Sequence, residues 1–166
     1  MIASGELWSH LSISLFRVLA GVVVGAIPAV VLGLLMGWFR GLHAFFDPII
    51  AATHPVPKIA LLPLFLILFG LGETTKIATI AVAVFFLVLI TTVNGVRLVE
   101  PVLIEAAQSY GAKGWRLFYK VILPATLPAI FTGLRLGLGV ALLVIVGAEF
   151  VAANKGIGYL IWISWS

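Results

Sequence analysis

The few ionisable side chains are where any chemistry must start, because 63% of the 166 residues are hydrophobic and only 10% are charged. Lys58 and Arg135 each stand inside an apolar stretch. Centring such a charge in a membrane costs about 2.5–3.5 kcal/mol even on insertion scales, so both are candidate pathway charges able to attract an anion. The competing expectation is that each snorkels to an interface or pairs structurally, and Pro55 and Pro57 can break the helix beside Lys58. Glu149 closes another apolar stretch, where it could pair or gate. His10, His43 and His54 are far apart and lack ligand spacing, which argues against a metal site. The chain has no Cys, which excludes thiolate and disulfide chemistry. It also has no GxxxxGK[ST] loop for ATP phosphates and no clustered acids or Ser/Lys pairs for hydrolysis, so no catalytic residue and no cofactor is assigned. Nor does a basic run interleaved with aromatics point to nucleic acid.

The elements that hold these residues must be membrane helices. A soluble domain carries about a quarter charged residues, and a chain this short cannot bury so much apolar surface in one core. A spanning helix takes about 20 apolar residues, at about 1.5 Å each across about 30 Å of hydrocarbon. Four runs meet that length: Val18–Phe39 with Arg17 at its edge, Ile49–Leu71 interrupted by Pro55, Pro57 and Lys58, Ile77–Val96, and Ala125–Ala148 around Arg135. Lipid leaves open backbone groups without partners, and the alternation of barrel strands is absent, so all four are expected as helices. Gly21, Gly25, Gly33 and Gly37 recur at four-residue steps or multiples of them, a stripe suited to close helix packing. Gly37–Asp47 and the tight Gly70–Lys76 turn are expected as short connections. Arg40, Arg97, Lys113, Arg116 and Lys120 fall on one side of such a bundle, which the positive-inside rule assigns to the cytoplasm. Lys76, Lys155 and the border residue Arg17 fall on the other side.

The polar segment from Arg97 to Pro124 is therefore expected inside the cell. Pro101 suits the first turn of a short helix, and Gly111 the left-handed residue that ends it. A second helix is expected over Lys113–Leu123. Its Lys113, Arg116 and Lys120 would form one wet face, while Trp115, Phe118, Tyr119 and Ile122 pack on the other. Pro124 disfavours helical geometry at Leu123 and is expected to separate this helix from the next span. Pattern alone also fits an amphipathic helix on acidic headgroups.

The residues favour a more specific reading. Glu105-Ala106-Ala107, then Gly111, then Ile122-Leu123-Pro124 and Pro128 resemble the EAA loop of binding-protein-dependent ABC importer permeases. The likeness runs from about Leu11 to Tyr159 and includes the segments PVPKIALLPLFLILFGLGETTKI and GVRLVEPVLIEAAQSYGAKGW, which are similar to the nitrate/sulfonate/taurine-type branch. The resemblance implies an all-α, polytopic bundle of the type I importer (MetI-like) kind in a bacterial inner membrane. It further implies two cytoplasmic ATP-binding subunits, a second permease subunit (a homodimer), an extracytoplasmic solute-binding protein and surrounding lipid. The coupling loop would cover about residues 98–124, with Glu105, Ala106, Ala107, Gly111, Leu123 and Pro124 as its coupling residues. The solute would be a small organic or inorganic anion such as a sulfonate, taurine or nitrate, or a molecule resembling a thiamine precursor. A membrane-embedded enzyme and a purely structural subunit are the competing classes. Members of the branch resemble six-span proteins, so the chain is expected to be one permease domain (residues 1–166) lacking the first and last spans. Gly156–Ser166 starts a further apolar stretch of only about 16 Å as a helix.

Overall fold

Prolines and glycines decide where the apolar runs stay straight, where they break and where they touch. The computed structural model describes residues 6–166, and every regular element among them is helical. In chain order these are α1 (Glu6–Trp38), α2 (Arg40–Thr53), a 3-10 turn (Lys58–Leu61), α3 (Leu62–Phe69) and α4 (Glu73–Arg97). Then follow α5 (Pro101–Ser109), α6 (Trp115–Leu117), a π turn (Phe118–Ile122), α7 (Leu123–Ala152) and α8 (Ile157–Trp165). Of the first ten residues, 6–10 belong to α1 and the rest lie outside the described residues.

Three of the four expected spans are each carried by one long helix, and the structure departs from expectation at three places. The first is not confined to Val18–Phe39: α1 has 33 residues, so Arg17 lies well inside it and not at a border. The Gly37–Asp47 connection is itself mostly helical, because α2 begins at Arg40 immediately after a single non-helical residue, Phe39. The expected second span is broken at residues 54–57, where Pro55 and Pro57 remove N–H donors, and helix resumes only at the 3-10 turn. Three helices are long and apolar enough to cross a membrane, and a fourth crossing exists only if the pieces flanking this break count as one.

Residues 6–26, 56–85 and 137–166 form one compact unit, and residues 27–55 and 86–136 another. In the first unit, α1 meets α4 through the glycine stripe. A Cβ on Gly21 would fall 2.6 Å from Ile80, and Gly25 rests against the Ala81 backbone. Val18, Ile80, Val84, Ala141 and Ile145 are buried there. In the second unit, Gly33 packs on Thr92 and Gly37 on Val96, while Gly95 faces Ala129 and Gly133 faces Thr91. Helix numbers rise together in the α1–α4 contacts and oppose in the α4–α7 contacts, so the first pair runs parallel and the second antiparallel. Such backbone approach is how helices associate where lipid removes the hydrophobic drive.

Candidate functional site

The site predicted in the polar segment lies entirely in the second unit. Glu100 precedes α5 and Pro101 is its first residue, where a missing N–H loses nothing. The helix ends in a Schellman motif: Ala112 N–H donates to the Ala107 carbonyl at 2.9 Å and Gly111 N–H to the Gln108 carbonyl at 2.9 Å. Gly111 has φ +82° and nothing within 4 Å of where a Cβ would stand, so the backbone angle, not space, demands glycine. Gly114, at φ +50°, is a second left-handed residue in the same turn, and sequence reading passed it over.

Behind this elbow lies a small core. Val96, Val99, Phe118 and Ile122 are buried together, and Leu34, Trp38 and Ile104 pack against them. Trp38 meets Phe118 edge-on at 5.3 Å. Ile104 is thus the residue by which α5 is held, while Glu105 and Ala106 face outward and Ala107 is half-buried. Val102 is 70% exposed and Tyr110 93%, so an apolar and small-residue surface is presented on α5.

The second helix departs from expectation. Lys113, Arg116 and Lys120 are exposed as expected, but the packed face is Leu117, Phe118 and Ile122. Trp115 and Tyr119 are mostly exposed, and Trp115 stacks on Phe118 at 4.9 Å between centroids. Pro124 does not separate this helix from the next: helix continues from Trp115 to Ala152, and Leu123 itself is helical. Pro124 leaves the Lys120 carbonyl without its usual donor, and the wider π turn just before it is the accommodation. There the N–H of Leu123 reaches the Phe118 carbonyl, five residues back. Leu123 and Pro124 therefore belong to a continuous rod leading from the elbow into α7.

Lys58 and Arg135 fall in different units. Lys58 opens the 3-10 turn after the proline break, and its Nζ donates to the Val56 carbonyl at 2.9 Å. It thereby satisfies backbone that the break has freed. Arg135 is exposed on α7.

A polar cluster that sequence reading largely missed occupies the first unit. Arg17 is 1% exposed and Glu149 fully buried. Arg17 Nη1 donates to Glu149 Oε1 at 2.6 Å and to the Lys155 carbonyl at 2.7 Å, while Nη2 donates to Glu73 Oε1 at 2.6 Å. Lys76 Nζ adds a 3.2 Å contact to the same Glu73 oxygen. Glu149 also accepts from Ser14 Oγ at 2.6 Å and from the Gly158 N–H at 2.8 Å. Gly156 has φ +133°, and a Cβ there would strike the Glu149 carboxylate. Two cations thus meet two carboxylates, and no buried side-chain N or O among the described residues lacks a partner. Lys76, placed at the end of the expected Gly70–Lys76 turn, lies instead within α4, which begins at Glu73, and is buried in this cluster. The available signal was Arg17 and Glu149 themselves, since charges in apolar helices are retained when paired. The histidines serve local contacts. His10 Nδ1 accepts the Gly156 N–H at 2.9 Å, His43 contacts Arg97, and His54 lies near Phe86.

Residues 15–165 match the family model described as the binding-protein-dependent transport system inner membrane component. A taurine transport system permease protein of Escherichia coli is 43% identical over 93% of this chain and 56% of its own length. A Bacillus subtilis permease protein named for aliphatic sulfonates is 42% identical over 97% of this chain and 58% of its own. The riboflavin transport system permease protein of Chloroflexus aurantiacus is 37% identical over 96% of this chain and 60% of its own. The chain therefore spans less than two thirds of the length of these relatives.

Proposed function

The chain belongs to the family of inner membrane components of binding-protein-dependent transport systems, and from that premise we propose that it lines the solute path of an ATP-driven importer and takes its power stroke through α5. The observation that carries this reading is the construction of the elbow. α5 is gripped on one side by Ile104 and stopped by Gly111, and its other side turns Val102, Glu105 and Ala106 outward. Small side chains at Ala106 and Ala107 allow close approach of a partner groove, and Glu105 adds a charged contact. The continuous helix from Trp115 to Ala152 supplies a rigid arm by which a tilt of α5 reaches the membrane. Rigid-body rocking of packed helices is an established way to open a path alternately to each side.

The partners in this reading are cytoplasmic ATP-binding subunits, a second permease subunit identical to this one, an extracytoplasmic solute-binding protein and the membrane lipid. ATP hydrolysis belongs to the ATP-binding subunits. The loop of about residues 98–124 is cytoplasmic and the turn around Glu73 external, as the arginines and lysines 97, 113, 116 and 120 suggest. The names of the taurine and sulfonate relatives support a small organic anion as solute, and the riboflavin relative marks how far specificity ranges in the family.

Gly111→Val tests the coupling role. A β-branched residue in the left-handed region costs about 1–2 kcal/mol and redirects the chain after α5. With the permease reading frame expressed alongside its ATP-binding subunit, the variant is expected to insert normally, lose uptake and leave ATP hydrolysis uncoupled. Normal uptake with normal co-purification of the ATP-binding subunit would defeat the proposal.

A further inference from the structure

Arg40, His43 and Arg97 gather around one cavity of about 460 Å³ in the second unit, closed by Met36, Gly37 and Trp38. Nothing in the coupling role uses these residues. Arg97 Nη1 stands 2.6 Å from His43 Nε2. A guanidinium only donates, so His43 Nε2 is the acceptor in this contact. Two arginines and a histidine thus crowd one concavity, and the acid beside them is Asp47, 3.6 Å from His43 and 61% exposed in its side chain. α2 also starts at this edge without a side-chain cap, so its first N–H groups add partial positive charge. Such a site attracts an anion.

The surroundings specify which anion. The cavity lies where α1 ends at Trp38 and α4 ends at Arg97. Trp38 lines the hollow where α1 ends, and the next residue, Phe39, is 48% exposed, so aromatic side chains flank the cationic hollow. Aromatic side chains at span ends mark the headgroup level, and basic pockets there collect acidic lipid. The hollow lacks the glycine-rich loop that would cradle a nucleotide's phosphates. We propose that Arg40, Arg97 and His43 form a binding site for the phosphate of an anionic lipid headgroup at the cytoplasmic surface.

The test uses the purified permease in neutral detergent. Its melting temperature is measured against dioctanoyl phosphatidylglycerol, dioctanoyl phosphatidylcholine and inorganic phosphate. The expected result is a saturable rise with phosphatidylglycerol that phosphatidylcholine and inorganic phosphate do not reproduce. Arg40→Gln and Arg97→Gln should each weaken the apparent affinity roughly fivefold, Arg97→Lys should restore most of it, and the exposed control Lys155→Gln, in the other unit, should leave it unchanged. An equal response to inorganic phosphate would overturn the lipid assignment. Unaltered phosphatidylglycerol affinity in the double arginine variant would overturn the site. If that variant instead loses its ATP-binding subunit, with lipid affinity intact, the hollow serves a protein partner and the proposal fails.

Discussion

Arg17 and Glu105 are both charged residues on helices, yet the molecule treats them in opposite ways. Arg17 is enclosed, and Glu73, Glu149 and the Lys155 carbonyl use its donors. Glu105 is turned outward on α5, beside small and apolar neighbours. Buried charge answered from within the chain describes architecture: Arg17 spends its donors on two carboxylates and a backbone carbonyl. Exposed Val102 and Tyr110 beside Ala106 describe a surface still to be covered. Lys58, singled out for its apolar setting, donates to a carbonyl two residues away.

The largest effect should come from breaking the enclosed cluster. Arg17→Leu leaves the buried Glu149 without its cation, a loss of about 3–5 kcal/mol. Thermal unfolding of the detergent-purified protein should show it, and Arg17→Leu combined with Glu149→Leu should recover part of the loss. A variant as stable as the parent would mean that the cluster contributes nothing to the fold. Gly156→Ala should cost less, about 1–3 kcal/mol, from the positive φ and the collision with Glu149. Its melting point should fall by several degrees, and no change would show that the α7–α8 turn yields easily.

On the exposed side the expected ranking of readouts reverses. Ala106→Trp should leave the melting point nearly unchanged, since exposed substitutions usually stay within about 0.5 kcal/mol. Retention of the ATP-binding subunit should drop about tenfold, and undiminished retention would remove Ala106 from the contact. Smallest of all is Lys58→Gln, whose amide can still donate to the Val56 carbonyl, a bond contributing about 1 kcal/mol. Uptake within about twofold of the parent is expected. A loss beyond tenfold would place Lys58 in the solute path, and the same measurement on Arg135→Gln decides that residue independently.

What was legible in the sequence was what local chemistry fixes. Pro101 and Gly111 mark the ends of α5 because a missing N–H and a left-handed φ are properties of single residues. The membrane helices followed from run length, and the glycine stripe from its spacing. The Arg17 cluster was not legible, because its carboxylates lie 56 and 132 residues away and only the packed bundle brings them together. Pro124 misled for a different reason. Its preference against helix at Leu123 is real, but a π turn absorbs it without stopping the rod. The aromatic face was half right. Phe118 packs inward, whereas Trp115 and Tyr119, four residues apart, share an outward strip.

The central claim is that α5 is the contact with the ATP-binding subunit, and proximity labelling tests it most directly. The chain contains no Cys, so single substitutions are unambiguous. Ala106→Cys on α5 and Leu71→Cys in the turn before α4 are placed in the permease reading frame and assembled with the ATP-binding subunit. A bifunctional reagent carrying a maleimide and an amine-reactive arm is then added to membranes. Cross-linking to the ATP-binding subunit from position 106 and not from position 71 is the predicted result. A transport-competent complex that cross-links from position 71, or from neither position, would contradict the account.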